Sequence, residues 1–184
     1  MTLTLKQQRT KLDIIKTMNS MLKTTPFDQI TINVICQKAF IHHSTFYRYF
    51  ADKYDLLGGV LTLICAPIRE KLTKGISLMT TITHIVTSNQ AQFRNMTRKN
   101  KRAAIYPDLT QIIASILKKA LLNTVRHPLI DRLSQTSEPD LMAFAYAGMF
   151  VGIIQKWNET PGTPRVGAFS ANFKADLLAL SSTL

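Results

Sequence analysis

The spacing of apolar residues constrains this chain more than any other feature. Spacings of three and four recur through nearly every segment, and no stretch alternates at period two. Strands with one buried face require that alternation, so the chain is expected to be all-α. Leu12, Ile15, Met18 and Leu22 form the first stripe and place a helix over about Thr4 to Lys23, stopped by Thr25-Pro26. A short helix follows from the N-cap Thr31 to about Lys38, and a third lies within His42 to Tyr49. Only Ala39 to His42 connect these two. A long supporting helix followed by two short helices and a tight turn has the outline of a helix-turn-helix unit.

The third helix and its flank, "HHSTFYRYFADKYDLL", crowd Phe46, Tyr47, Tyr49, Phe50 and Tyr54 into a short run. Phe46 and Phe50 share one helical side and are expected to anchor the core. His43 and Tyr47 form a second stripe. Tyr47, Arg48, Tyr49 and the hydroxyls of Ser44 and Thr45 supply donors suited to phosphate oxygens and base edges. A solvated amphipathic face accounts for the same pattern, and composition bears on the choice. The 184 residues carry a formal net charge of +12 with 46% apolar content. That is a folded chain suited to an anionic partner, either nucleic acid or a membrane surface.

A membrane reading finds little in the sequence. The most apolar uncharged stretch, Leu141 to Gln155, falls short of the about twenty residues that span a bilayer, and reads as a buried helix. "MTLTLKQQRTKLD" has no apolar run after a basic segment, so a cytoplasmic location is expected. Cys36 and Cys65 are isolated and read as small core residues. The adjacent pair His42-His43 points in directions about 100° apart on a helix, which argues against a metal. No Gly-rich phosphate loop, HExxH or GxSxG is present, and the 11 carboxylates are scattered. Neither a catalytic site, a metal nor a cofactor is expected.

The run "ITINVICQKAFIHHSTFYRYFADKYDLL", Ile30 to Leu57, resembles the DNA-binding region of TetR/AcrR-type transcriptional regulators, whose pattern pairs a Thr-capped helix with "TFYRxF" and "K-x-x-L". The resemblance implies a DNA-binding domain over residues 1–57 and a helical ligand-binding and dimerising domain over residues 58–184. It makes the helix from about His43 to Tyr49 the recognition helix. Tyr47 and Lys53 then occupy positions that touch the phosphate backbone. Thr31 and Asn33 add backbone contacts from the start of the preceding helix. His42, His43, Ser44, Arg48 and Tyr49 are candidates for base and flanking contacts, their assignment depending on a helix rotation that the sequence leaves open. The implied partners are double-stranded DNA, a second copy of the chain and a small-molecule effector. One position departs from the family: Phe40 stands where the turn often holds glycine, and is strained if φ is positive.

Farther on, a helix capped by Asp52 is expected to continue to about Lys74, interrupted at Pro67, with Gly58-Gly59 a soft point. Further helices are expected over roughly Met79 to Met96, Pro107 to Val125, Pro139 to Asn158 and Phe169 to Leu180. The basic segment "RNMTRKNKR", Arg94 to Arg102, reads as a solvated end or as an anion-binding entrance. "FAYAGMFVGIIQKWNE" places Gly148 and Gly152 on one side, near Phe144, Phe150, Ile153 and Trp157. This stretch is similar to the C-terminal region of a subgroup related to dihydroxyacetone-kinase activators. In TetR-like proteins the last two helices pair with those of a second copy. Two functional expectations follow: a dimeric repressor released from a palindromic operator by a small ligand, or a protein of the same fold that acts as a coactivator through a protein partner.

Overall fold

The computed structural model describes residues 3–97 and 105–159, and every regular element among them is helical. The chain divides into two compact units, one comprising Met1–Ala66 with Asn89–Ile112, the other Pro67–Ser88 with Ile113–Leu184.

The first unit opens with α1 (Leu5–Met21). Thr4 caps it in a reciprocal box: the Gln7 N–H donates to Thr4 Oγ1, and the Thr4 N–H donates to Gln7 Oε1 at 2.8 Å. Its buried residues are Ile14, Ile15, Met18 and Met21, with Leu22 buried just past its end; of the expected stripe Ile15, Met18 and Leu22 are buried and only Leu12 faces outward. A single 3₁₀ turn, Phe27–Gln29, leads into α2 (Ile32–Lys38), which Thr31 caps by accepting from the Val34 N–H. Then come α3 (His43–Tyr49) and α4 (Lys53–Cys65). Helix α1 packs against α4 and α2, and α2 packs against α3. Their shared core includes Phe27, Ile35, Phe46, Leu56 and Leu61, all fully or nearly fully buried. Helix α4 runs unbroken through Leu57 and the Gly58-Gly59 pair, and ends before Pro67, which begins α5 (Pro67–Thr73). The proline interrupts as expected because it cannot donate the hydrogen bond that would continue α4.

The expected helix from Met79 to Met96 is two helices, α6 (Leu78–Ser88) and α7 (Gln90–Thr97). Asn89 is the reason: its carbonyl accepts from the Phe93 N–H at 3.0 Å, and its side-chain oxygen accepts from Gln92 Nε2 at 3.3 Å. A short polar side chain with these partners starts a new helix in place of continuing the old one. Within the first unit, Asn95 on α7 donates to the Leu22 carbonyl at 2.9 Å, satisfying an acceptor that the end of α1 leaves orphaned.

In the second unit α8 (Ile105–Leu122), which begins in the first, is followed by α9 (Pro128–Ser134) and α10 (Pro139–Glu159). Helix α9 was not expected. Its signals are local and short: Pro128 at the first helical position, and His127 as cap. His127 Nδ1 accepts from the Leu129 N–H at 3.1 Å, so the proton resides on Nε2, which donates to the Ile76 carbonyl at 3.2 Å. Helix α10 packs on α9 and α6, and its buried residues are Ala143, Ala147, Phe150, Val151 and Ile154. The expected helix Phe169 to Leu180, the side chain of Trp157 and most of the basic segment Arg94 to Arg102 lie outside the described residues.

Candidate nucleic-acid interface

Helix α3 is short, and its two sides differ sharply. Phe46 is fully buried and Phe50, just past the helix, nearly so; their rings lie 5.8 Å apart. Those anchors fix the rotation that the sequence left open. His42, His43, Ser44, Tyr47 and Arg48 are exposed, with Thr45 and Tyr49 half-buried at the edges. Tyr47 is 55% exposed, and its ring meets that of Phe46 edge-on at 5.4 Å. Helix α3 has no side-chain cap, because His42 makes no capping hydrogen bond. His43 Nε2 lies 3.4 Å from Asn33 Oδ1, joining the first turn of α3 to the first turn of α2. Thr31, His43 and Asn33 are thereby brought to one region of the surface, together with the exposed side of α3.

The turn between α2 and α3 adopts the conformation that the Gly-to-Phe departure made questionable. Phe40 has φ +54° and is 95% exposed. The Phe40 N–H donates to the Gln37 carbonyl and the Ile41 N–H to the Cys36 carbonyl at 3.0 Å, the paired bonds of a Schellman cap. The turn is therefore retained, and Phe40 bears the strain.

Lys53, expected at the phosphate backbone, has its ammonium turned toward the turn before α2. Its Nζ donates to the carbonyls of Ile30 at 3.0 Å and Phe27 at 3.1 Å, and sits 3.5 Å from the carbonyl of Asp28. It also lies 4.6 Å from the centroid of the Phe27 ring. An ammonium has three donors, and in this structure the two shortest contacts, at 3.0 and 3.1 Å, go to backbone oxygens. The start of α4 is likewise occupied. Asp52 Oδ1 accepts from the Tyr54 and Asp55 N–H groups, both at 2.8 Å, and Asp55 Oδ2 accepts from the Ala51 N–H at 2.9 Å. A phosphate approaching these amides meets two carboxylates already seated on them.

Other chemistry has little to stand on among the described residues. No group of three His, Cys, Asp or Glu side chains is placed to hold a metal. Burial pushes the Cys65 thiol up to about 12 and raises that of Cys36 as well, so neither is a ready nucleophile. No helix among the described residues is long and apolar enough to cross a membrane. The basic character of the first unit extends beyond α3: an open groove along α1 and α2 is lined by Thr17, Ser20, Met21, Lys23, Thr24 and Lys38.

The sequence matches no family model, and no curated protein matches it. The fold is the TetR-like all-α fold. It is similar to that of the solved dihydroxyacetone kinase operon activator DhaS, with a TM-score of 0.57 over 93% of this chain and 95% of that one, at 16% identity. A crystal structure of a gamma-butyrolactone receptor, an ArpA-like protein, aligns over 95% of this chain and 99% of that one with a TM-score of 0.41 and 18% identity.

Proposed function

We propose that this chain is a TetR-like DNA-binding transcriptional regulator, not an enzyme, that docks α3 in the major groove of double-stranded DNA. The observation that carries the reading is the division of α3: Phe46 locks one side into the core while His43, Ser44, Tyr47 and Arg48 stand together on the other. A formal net charge of +12 supplies the non-specific attraction that such docking needs. Tyr47 contacts a phosphate through its hydroxyl; Thr31 and Asn33 meet the backbone from the start of α2; His42, His43, Ser44, Thr45, Arg48 and Tyr49 read or flank bases. Residues 1–57 hold this DNA-contacting surface, and residues 58–184 provide effector binding and dimerisation. The chain acts as a homodimer on a palindromic operator and is a repressor released by a small-molecule effector.

A second reading has one observation in its favour. One solved structure similar to this chain over most of its length is an operon activator by name. On that reading the chain activates transcription through a protein partner. Selection of bound sequences from a random duplex library with the full chain separates the two. A palindrome enriched by the protein alone supports the first, whereas enrichment only in the presence of a partner supports the second. Replacing Tyr47 by Phe is expected to weaken all sequences alike, and replacing His43 or Ser44 by Ala to change which bases are preferred. A protein that retains no duplex at low salt, either alone or with a partner present, would overturn both readings.

A further inference from the structure

Lys53 joins two helix starts that belong to different parts of the recognition unit. It is the first residue of α4, yet its ammonium is bound to the carbonyls of Phe27 and Ile30, in the turn that delivers the chain into α2. Ile30 immediately precedes Thr31, the cap of α2. Between these starts lies α3, whose His43 reaches the first turn of α2 through Asn33. The side chain is half-buried, its stem passes the Phe27 and Tyr54 rings, and the two rings themselves meet edge-on at 5.2 Å. No carboxylate among the described residues pairs with it. A cation held by converging carbonyls over an aromatic face is a compact point charge in a shaped seat.

We infer that Lys53 is a positioning residue that fixes the start of α2 relative to α4, and through Asn33 and His43 the setting of α3, and does not itself contact DNA. The inference rests on the DNA-binding reading given above. Two features of the seat support it. The ammonium is engaged by the carbonyls of Phe27 and Ile30, and the carboxylates of Asp52 and Asp55 at the adjoining helix start disfavour an incoming phosphate.

Lys53→Met keeps the stem and loses the donors, while Lys53→Arg keeps the charge but replaces a point donor with a planar fork that cannot satisfy carbonyls converging on one position. Both variants are examined as full chains at a temperature where circular dichroism shows them folded. Both are expected to lose roughly tenfold in affinity for duplex DNA, with the slope of log affinity against log salt unchanged. A slope reduced by about one in Lys53→Met, or wild-type affinity in Lys53→Arg, overturns the inference, since either marks a direct phosphate contact. Amide hydrogen exchange provides a readout independent of DNA. The Ile30, Val34 and Ile35 N–H groups, bonded to Phe27 and Thr31, are expected to exchange about tenfold faster in both variants, while amides in the middle of α1 keep their rates. Unchanged exchange at these positions overturns the clamp. If the wild-type chain binds no duplex, the functional reading fails, and the exchange rates still decide the role of Lys53.

Discussion

At the scale of single residues, Phe40, like Thr124 with φ +48°, is a place where sequence and backbone conflict. A bulky side chain in the left-handed region costs about 1–2 kcal/mol, and its ring, 95% exposed, recovers nothing through burial. The same cap recurs after α5, where Gly75 adopts φ +71° and the Ile76 N–H donates to the Lys71 carbonyl at 2.9 Å. Phe40→Gly is therefore expected to stabilise the protein by a net of about 0.5–1 kcal/mol, after allowing for the greater freedom of glycine in the unfolded chain. Thermal denaturation checks this; a lower melting temperature would mean that the ring makes contacts in solution that offset the strain. The departure was readable in the sequence because the motif fixes the position of the turn. The seat of Lys53 was not, because its partners lie 23 to 26 positions earlier in the chain and only packing brings them together.

Among the elements, α4 shows why a glycine pair need not be a weak point. An added Cβ at Gly58 meets nothing within 4 Å, whereas at Gly59 it comes within 3.1 Å of Ile15 Cδ1 and 3.2 Å of Ile15 Cγ1. Gly59 thus permits the close approach of α4 to α1, and Gly58 is only a poor helix former. Gly58→Ala is expected to raise stability by about 0.5–1 kcal/mol, and Gly59→Ala to forfeit most or all of that gain by displacing Ile15. Chemical denaturation of both variants tests the contrast. Equal gains would show that Ile15 yields without penalty. Periodicity located α1 to α4 because each buries a stripe, but it ran α6 and α7 together, since the apolar phase continues across Asn89 while the backbone restarts there.

At the scale of the whole molecule the prediction concerns assembly, and α10 carries an exposed apolar side on which it can be tested. One side of it is buried within its own unit. The other carries Leu141, 64% exposed, and Phe144, 44% exposed, together with Ala145 and Gly152. Phe150, expected on the glycine side, belongs instead to the buried side. A two-fold dimer that sets two recognition helices about one helical turn of DNA apart needs such a self-complementary face. Among the described residues a Cβ on Gly152 meets nothing within 4 Å, so Gly152→Leu is compatible with the fold of the protomer. It is expected to shift the protein from dimer to monomer in sedimentation and to weaken operator binding by more than about tenfold, with the melting of the first unit unchanged. Dimers that persist at wild-type affinity would place the interface elsewhere.

The sequence by itself determined the helical class, the order of α1 to α4 and the break at Pro67, the turn at Phe40 and the chemistry available on α3. These depend on local rules: spacing along one helix, caps such as Thr31 and Asp52, and the missing donor of Pro67. Tertiary structure alone decided which side of α3 is free, because rotation is set by where Phe46 and Phe50 find their core partners. It also decided that Lys53 bonds inward, that Gly59 is a contact and Gly58 is not, and that α10 buries Phe150 while leaving Phe144 open. Each of these is an outcome of packing between residues distant in sequence, and side-chain identity alone does not specify which neighbour a group will meet.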